Sequence, residues 1–258
     1  MNIKMIVTDL DQTLLKSDKS ISDYTAKILK ACKQQGIIIV FATARSECDC
    51  KSYTDVINPN AIISNRGALV RIGNNTISRI TIDAETTNQI LLSCLEQPSI
   101  RYITVFTDKG YFVNIPASEH DPNWGKYNPD RYTDFSQGLD CDAYKISVEI
   151  FDDVTADIIA ASFPAIDVIR FSGEPWFSFG VNSVNKCDGI KQLAANFNID
   201  LKDVAAFGDD FSDVEMLRKC GVGIAVDNAI DAVKDVADHF CDINDRDGVA
   251  KWIEQNLL

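Results

Sequence analysis

Carboxylate side chains stand at two places where the sequence predicts that an apolar β-strand ends. The predicted strand Met5–Asp9 closes with Asp9, and Asp11 follows two residues later. Residues i and i+2 of a strand point to the same face, so both carboxylates can reach one phosphate and one metal ion. Asp209 and Asp213 follow another apolar strand far downstream. Oxygen ligands with no histidine or cysteine cluster favour Mg²⁺, which is therefore the predicted metal.

Two further side chains suit the chemistry that these carboxylates can do. Thr43 ends the predicted strand Ile37–Thr43 and can donate its hydroxyl hydrogen to a phosphate, and Arg45 follows it. Lys186 is an isolated lysine ahead of a predicted helix, where its charge would offset carboxylate–phosphate repulsion. A carboxylate nucleophile, an acid/base, phosphate-binding groups and metal ligands are the equipment for Mg²⁺-assisted phosphoryl transfer through an aspartyl-phosphate.

The elements that must position these residues alternate between strand and helix. After the first strand, Ser22 is a good N-cap for a helix that Gly36 ends. Ile37–Thr43 and Ala61–Ser64 are then continuous apolar strands. Unbroken apolar strands separated by helices are typical of a parallel sheet covered on both faces. Ligands bind at the carboxyl ends of such strands, where the acidic residues and Thr43 would converge.

The middle of the chain has a different character and predicts a second unit. Residues 83–182 combine predicted strands and helices in an α+β order, and the first pattern resumes after Lys186. The sequence therefore predicts a discontinuous core domain of residues 1–82 and 183–258, with a cap domain of residues 83–182 inserted into it.

Two segments of the predicted cap carry specific expectations. Tyr144–Phe151 alternates polar and apolar residues, which predicts a strand in a sheet with one covered face. Residues 116–140 are predicted to be loop, with a short helix near Asp130–Ser136. Four side chains on this loop are candidates either for substrate contact or for solvent exposure: His120, Asp121, Asn123 and Trp124.

The sequence resembles the haloacid dehalogenase (HAD) superfamily in four pieces that occur in the same order. The pieces are Asp9-Leu10-Asp11, Thr43, Lys186 and Gly208-Asp209-Asp210-Phe211-Ser212-Asp213. The long segment between Thr43 and Lys186 narrows the resemblance to the Cof-like phosphatases of subclass IIB, and the resemblance covers essentially the whole chain. It implies an α/β fold: a Rossmann-like core with a parallel sheet and an inserted α+β cap.

The resemblance also implies a role for each residue that matches a family motif. Asp9 would be the nucleophile and Asp11 the acid/base, with Thr43 and Lys186 completing the catalytic set. The implied Mg²⁺ ligands are Asp9, Asp11 through its backbone carbonyl, Asp209 and Asp213. The implied substrate-binding residues are Leu10, Thr13, Ala44, Arg45, Arg66 and Asn228. The expected substrate is a small phosphorylated metabolite, such as a sugar phosphate or a cofactor phosphate.

Four positions depart from the pattern of the family. Gln12 replaces a usual glycine, which suggests a turn that either needs neither a positive φ nor a close backbone approach, or is slightly altered. Arg66 replaces a usual asparagine and either grips a second anionic group of the substrate or lies in solvent. Cys187 follows Lys186 where relatives have glycine. Ser212 replaces an asparagine and can serve as a helix N-cap.

Composition excludes some classes of partner. The chain of 258 residues carries a net charge of −13, which argues against binding to nucleic acids or anionic membranes. Its apolar runs are too short to span a membrane, and the N-terminus leads directly into a strand, with no signal-peptide pattern. We expect a cytoplasmic protein that is a monomer or a weak homo-oligomer. A phosphomutase of similar architecture and a catalytically weak phosphosugar-binding or regulatory module are the alternatives.

The eight cysteines are scattered, and only Cys48 and Cys50 lie close together in the sequence. This pair is either half of a site for a soft metal ion or two ordinary reduced thiols. No nearby residues complete a set of metal ligands. We predict that all eight cysteines react as free thiols when the non-reduced protein is unfolded and titrated with a thiol reagent. A freshly prepared sample with two fewer reactive thiols would reveal a disulfide and contradict the prediction.

Overall fold

The computed structural model describes residues 2–115, 131–171, 175–182 and 184–258, and the chain divides into two compact units. The core unit comprises Met1–Arg79 and Asn185–Leu258, and the cap unit comprises Ile80–Val184. The predicted cap residues His120, Asp121, Asn123 and Trp124 lie outside the described residues.

Strands and helices alternate in the core unit on both sides of the insertion. The described strands are β1 (Met5–Thr8), β2 (Ile38–Ala42), β3 (Ala61–Ser64), β4 (Leu69–Ile72), β5 (Asn75–Arg79), β6 (Ile100–Thr107), β7 (Gly110–Val113), β8 (Arg131–Tyr132), β9 (Lys145–Ile150), β10 (Ile166–Arg170), β11 (Trp176–Val181), β12 (Val204–Gly208), β13 (Val222–Val226) and β14 (His239–Cys241). The described α-helices are α1 (Asp23–Gln34), α2 (Lys51–Ile57), α3 (Ala84–Leu95), α4 (Asp153–Ser162), α5 (Lys186–Phe197), α6 (Val214–Lys219), α7 (Asp231–Lys234) and α8 (Gly248–Leu257).

The core sheet has the strand order β14-β13-β12-β1-β2-β3-β4-β5. Pairing is parallel from β14 to β3, and β4 and β5 add an antiparallel hairpin. The chain order reverses at β1, which lies between β12 and β2, and such a reversal is where α/β sheets form a ligand-binding crevice. The predicted parallel α/β core is therefore present, and its first strand occupies the position that matters most for binding.

Apolar side chains of the strands and helices form one core in this unit. Met5, Ile6 and Val7 in β1 are fully buried, as expected for a strand covered on both faces. Ser22 is the N-cap of α1, as predicted, and its hydroxyl accepts a hydrogen bond from the backbone N–H of Thr25. The strand β1 thus lies within the apolar core, which defines where the residues that follow it begin.

The cap unit contains a second sheet, in the order β10-β11-β9-β6-β7-β8. Its pairs are antiparallel except for β7 with β8. One face packs apolar residues such as Ile103, Val105 and Val148 into a core that includes Ile90 of α3 and Ile159 of α4. This separate apolar core makes the cap a compact unit in its own right.

Two sequence-based expectations for the cap unit are wrong. The strand predicted at Tyr144–Phe151 is present as β9, but its polar face is not exposed, because Lys145 and Ser147 are buried. In this strand, alternation of polar and apolar residues therefore does not mean that one face of the sheet is open to solvent. No helix occupies residues 131–136, where the short strand β8 is followed by irregular structure.

All eight cysteines are free, and all but Cys48 are buried. Among the described residues, no helix combines the length and apolar character that crossing a membrane requires.

Candidate active site

Asp9 lies directly after β1, at the carboxyl end of the core sheet. Its backbone N–H donates a hydrogen bond of 3.0 Å to Phe207 O in β12, which extends the strand pairing by one residue. The Thr8 hydroxyl donates to Asp9 O at 2.7 Å. The Asp9 side chain is buried. These contacts fix the carboxylate at the edge of the sheet where the crevice forms.

Lys186 is the first residue of α5, and its ammonium group joins two carboxylates. Its Nζ donates to Asp9 Oδ1 at 2.7 Å and to Asp213 Oδ1 at 2.6 Å, while only 2% of the lysine is exposed. Burial by itself lowers the pKa of this ammonium, but the charges of Asp213 and Asp9 outweigh it and raise the pKa above its usual value. Lys186 is therefore held as a cation between two anions.

Asp213 is anchored through both of its carboxylate oxygens. Oδ1 accepts from Lys186, and Oδ2 accepts from the backbone N–H groups of Asp209 at 3.0 Å and Asp210 at 3.1 Å. Gly208 makes this approach possible, because a Cβ on Gly208 would lie 2.4 Å from the Cβ of Asp213. The glycine, the acidic loop and Lys186 therefore form one interlocked structure.

Asp209 completes a cluster of three carboxylates. Its Oδ1 accepts a hydrogen bond of 2.5 Å from the Thr13 hydroxyl. One carboxylate oxygen from each of Asp9, Asp209 and Asp213 lies within 4.8 Å of the others. Carboxylate oxygens alone are the ligands that hard divalent cations prefer. Three carboxylates facing one ammonium group leave an excess of negative charge, so this donor set fits such a cation.

The pKa values of the cluster report the same excess of negative charge. Burial raises the pKa of Asp9 to about 7, assisted by the charges of Asp213 and Asp11 and opposed by Lys186. Burial and the charges of Asp9 and Asp213 raise the pKa of Asp209 to about 9. Proximity of like charges in a dry site disfavours ionisation, which a bound cation would reverse.

Asp11 lies apart from this cluster and is paired with basic residues. Arg45 donates to it through Nε at 2.6 Å and Nη2 at 2.7 Å, and Lys19 Nζ donates at 2.9 Å. Burial by itself raises the pKa of the Asp11 carboxyl, but the hydrogen bonds and charge of Arg45 bring it down to about 2. The two neighbouring aspartates of the motif therefore have opposite electrostatic surroundings.

The loops that follow β2 and β3 are joined at Thr43. The Thr43 hydroxyl oxygen accepts from Arg45 N at 3.1 Å, and Thr43 O accepts from Arg66 N at 3.1 Å. Accepting this bond uses a lone pair of the oxygen and not the hydroxyl hydrogen, which the side chain can still donate. Ala44 is partly exposed beside it, whereas the Leu10 side chain lies in the apolar core, so only backbone atoms of Leu10 can face a ligand.

Arg66 is buried, with 4% of its surface exposed, so the expectation that it lies in solvent is wrong. It adopts a left-handed backbone conformation with φ of 65°, and Asn65 does so with φ of 49°. Gly67 follows with φ of 114°, and a Cβ there would lie 2.3 Å from Asn185 O. This close approach fixes the loop after β3 against the residue that precedes Lys186.

Gln12 contradicts the expectation of a turn without positive φ, because its φ is 57°. Two asparagines hold this strained turn. Asn228 Nδ2 donates to Gln12 O at 2.7 Å, and Asn244 Nδ2 donates to Leu15 O at 2.9 Å. Asn228 Oδ1 in turn accepts from Asn244 N at 3.0 Å. The buried Asn244 was missed in the sequence, where it resembled any polar loop residue.

Ser212 does not cap a helix in the structure. Asp210 takes that role, since its side chain accepts from the backbone of Asp213 in a reciprocal capping box.

The site residues that the sequence predicts fall into three groups in the structure. One cluster contains Asp9, Asp209, Asp213, Lys186 and Thr13. A separate ion pair joins Asp11 to Arg45. The joined loops after β2 and β3 carry Thr43, Ala44 and Arg66.

Comparison with known proteins gives matches over nearly the full length. The family model of haloacid dehalogenase-like hydrolases matches residues 6–253. The 5-amino-6-(5-phospho-D-ribitylamino)uracil phosphatase YcsE of Bacillus subtilis is 24% identical over 263 residues, covering 100% of this chain and 97% of that protein. A haloacid dehalogenase-like hydrolase from B. subtilis superposes with a TM-score of 0.85 at 25% identity, covering 99% and 100% of the two chains. A subclass IIB sugar phosphatase superposes with a TM-score of 0.84 at 21% identity, covering 98% of each chain.

The carboxylate cluster predicts a stability that depends on pH and Mg²⁺. Asp9 and Asp209 have folded-state pKa values raised from 3.8 to about 7 and about 9, so the stability they contribute is complete below 3.8 and is lost as the pH rises through those values. The melting temperature of EDTA-treated protein should fall between pH 6 and pH 9. Added Mg²⁺ should raise it, and more at pH 9, because the metal binds the ionised form.

Variants at two aspartates distinguish a response of the cluster to pH and Mg²⁺ from the effect of removing any one negative charge. Asp209→Asn should flatten the pH dependence of the melting temperature and remove most of the response to Mg²⁺. Asp200→Asn, at an exposed side chain outside the cluster, should behave as the wild type. An equal response to Mg²⁺ in both variants would contradict a metal site at the cluster.

Proposed function

The chain belongs to the family of haloacid dehalogenase-like hydrolases, and from this premise we propose that it is a phosphatase. Its reaction is the hydrolysis of a small phosphomonoester, through a covalent phosphoryl group on Asp9 and with the help of Mg²⁺. The observation that carries the proposal is the buried Lys186 ammonium held between the carboxylates of Asp9 and Asp213.

Asp9 is the nucleophile in this proposal because its carboxylate lies at the carboxyl end of β1, in the crevice of the sheet. A carboxylate and a phosphate repel each other, and the Lys186 ammonium at 2.7 Å from Asp9 reduces that repulsion. Asp213 keeps Lys186 in place rather than reacting. The bond that forms joins an Asp9 carboxylate oxygen to phosphorus, and the bond that breaks joins phosphorus to the leaving alcohol oxygen.

Thr43 and backbone N–H groups would bind the non-reacting phosphate oxygens. The Thr43 hydroxyl hydrogen is available for donation, and Leu10 can contribute only through its backbone. Asp11 would donate a proton to the leaving oxygen and later withdraw one from the attacking water. In the present arrangement Arg45 holds Asp11 through two hydrogen bonds, so Asp11 must release Arg45 before it can take this role.

Asp9, Asp209 and Asp213 are the side chains that would hold Mg²⁺, as their mutual approach within 4.8 Å allows. When bound, Mg²⁺ neutralises charge on the phosphoryl oxygens and on the carboxylates. Thr13 positions Asp209 through its hydroxyl, and Asp213 also receives two backbone N–H groups. These hydrogen bonds orient the ligands from the protein side.

The relatives indicate which substrates to test first. YcsE is named for a phosphate ester of a ribityl chain, and a structural neighbour is a sugar phosphatase. We propose a small phosphorylated metabolite of that kind, a sugar phosphate or a cofactor phosphate. A phosphomutase would return the phosphoryl group to another hydroxyl, so measured release of inorganic phosphate separates the two activities.

We predict that Asp9→Asn abolishes phosphate release from p-nitrophenyl phosphate while the protein stays folded, because the amide keeps the shape of the side chain but is not a nucleophile. Asp18→Asn, in the loop that follows, is the matched control and should keep normal activity. Release is measured at saturating Mg²⁺, with circular dichroism as the check on folding. Near-normal turnover by Asp9→Asn would refute the covalent mechanism.

Arg66 lies in the loop that follows β3, and its backbone N–H donates a hydrogen bond to Thr43 O. If its guanidinium binds an anionic group other than the transferred phosphoryl, Arg66→Ala should raise KM for a metabolite that carries such a group. The loss of a charge-assisted hydrogen bond is worth roughly 1.5–3 kcal/mol, or about ten- to a hundred-fold in kcat/KM. The kcat on p-nitrophenyl phosphate should stay nearly constant. Equal losses on both substrates would place Arg66 in the general phosphate site instead.

A further inference from the structure

The turn Leu10–Leu14, in the core unit, places two side chains of the site in different directions. Asp11 has extended backbone angles, whereas Gln12 is left-handed with φ of 57°, so the chain reverses at Gln12. Asp11 lies before the reversal and Thr13 after it, and the Thr13 hydroxyl reaches Asp209. The direction in which the Asp11 side chain points therefore depends on the backbone conformation of Gln12.

That conformation is unfavourable for glutamine. A glycine adopts positive φ at no steric cost, but a residue with a Cβ does so only where other contacts support it. The Gln12 side chain is exposed, so packing of this side chain in the core does not hold the turn. Support must come from hydrogen bonds to the backbone of the turn.

Asn228, after β13, and Asn244, after β14, supply these hydrogen bonds. Asn228 Nδ2 donates to Gln12 O at 2.7 Å, and the backbone N–H of Asn244 donates to Asn228 Oδ1 at 3.0 Å, which orients the amide. Asn244 Nδ2 donates to Leu15 O at 2.9 Å. The Leu15 N–H in turn closes the turn on Leu10 O at 2.8 Å. Both ends of the reversal are thus held by two asparagines.

We propose that Asn228 and Asn244 are positioning residues for Asp11, which act through the turn at Gln12 and make no contact with the substrate. The inference rests on the proposed function, in which Asp11 donates a proton to the leaving oxygen. The resemblance implies instead that Asn228 binds substrate. In the structure, both ends of its amide are engaged by the protein, which favours the positioning role.

Two esters with different leaving groups test the proposal. The alkoxide of D-ribitol 5-phosphate needs a proton to depart, whereas p-nitrophenolate hardly does. At saturating Mg²⁺, Asn228→Ala should lower kcat/KM for D-ribitol 5-phosphate by about 2–10-fold, as expected for one lost hydrogen bond, and should lower that for p-nitrophenyl phosphate less. Equal losses on the two esters would overturn the proposal.

Asn256→Ala is the matched control, because it removes a hydrogen bond of the same kind, from Asn256 Nδ2 to Trp252 O at 2.8 Å in α8. It should leave kcat/KM for both esters unchanged. Asn244→Ala should repeat the pattern of Asn228→Ala. Because Asn244 is buried and Asn228 is exposed, Asn228→Ala is the variant expected to fold normally and it decides the test.

A second substitution separates positioning from substrate binding and from a general loss of stability. Adding Gln12→Gly to Asn228→Ala should restore the wild-type ratio of the two kcat/KM values, because glycine adopts positive φ without support. Glycine cannot replace a lost substrate contact, and its greater freedom in the unfolded chain does not restore stability. A double variant that keeps the defect of Asn228→Ala would overturn the proposal.

A failure of the proposed function would look different. A wild type that hydrolyses neither ester would contradict the phosphatase proposal, and amide hydrogen exchange would then test the turn by itself. The Leu15 N–H should exchange about 2–10-fold faster in Asn228→Ala than in the wild type, and at the wild-type rate in Asn256→Ala. Equal rates in all three proteins would overturn the proposal whatever the activity.

Discussion

The active-site region depends on one buried interaction, the Lys186 ammonium between Asp9 and Asp213. Removing one partner of a buried ionic group typically destabilises a protein by about 3–5 kcal/mol, because the remaining charge is left without compensation. The same geometry that keeps the site folded brings the cation to the nucleophile. Stability and the proposed chemistry therefore impose the same arrangement of these three side chains.

Three features of the backbone hold this ion pair in place. Gly208 has no side chain, which leaves room for the Asp213 side chain beside it. Gly67 likewise leaves room for the backbone of Asn185, the residue before α5. The parallel pairing of β1 with β12 sets Asp9 beside the acidic loop that follows β12. A side chain at either glycine would move Lys186 or its partner. The glycines therefore determine the electrostatics of the site, although neither carries a functional group.

Much of this arrangement could be predicted from residue order and periodicity. The motif residues at strand ends indicated the family, which the family match confirms, and the α/β core with a second, largely antiparallel sheet is present. Continuous apolar strands identify a parallel sheet because both of its faces are covered. The strained turn at Gln12 and the role of Asn244 were missed, because both depend on hydrogen bonds between segments more than 200 residues apart. The buried state of Arg66 could not be read from the sequence either, since a charged residue after a strand is exposed in most proteins.

In the cap sheet, the burial of the polar residues of β9 could not be predicted from the sequence. Alternation in β9 predicts which residues share a face, and it did so correctly, but it does not say what lies against the polar face. Lys145 and Ser147 are as buried as the apolar residues beside them. Burial of polar residues depends on contacts made by other segments of the chain, which the alternation within one strand does not encode.

The central claim is that Asp9 becomes covalently phosphorylated with Lys186 beside it. The most direct measurement is rapid acid quenching during turnover of p-nitrophenyl phosphate with Mg²⁺, followed by peptide mass spectrometry. We expect the peptide that contains Asp9 to gain the mass of one phosphoryl group, and this gain to disappear after treatment with hydroxylamine, which cleaves acyl phosphates. A phosphoryl group on another residue, or rapid turnover with no modified peptide at any quench time, would contradict the account.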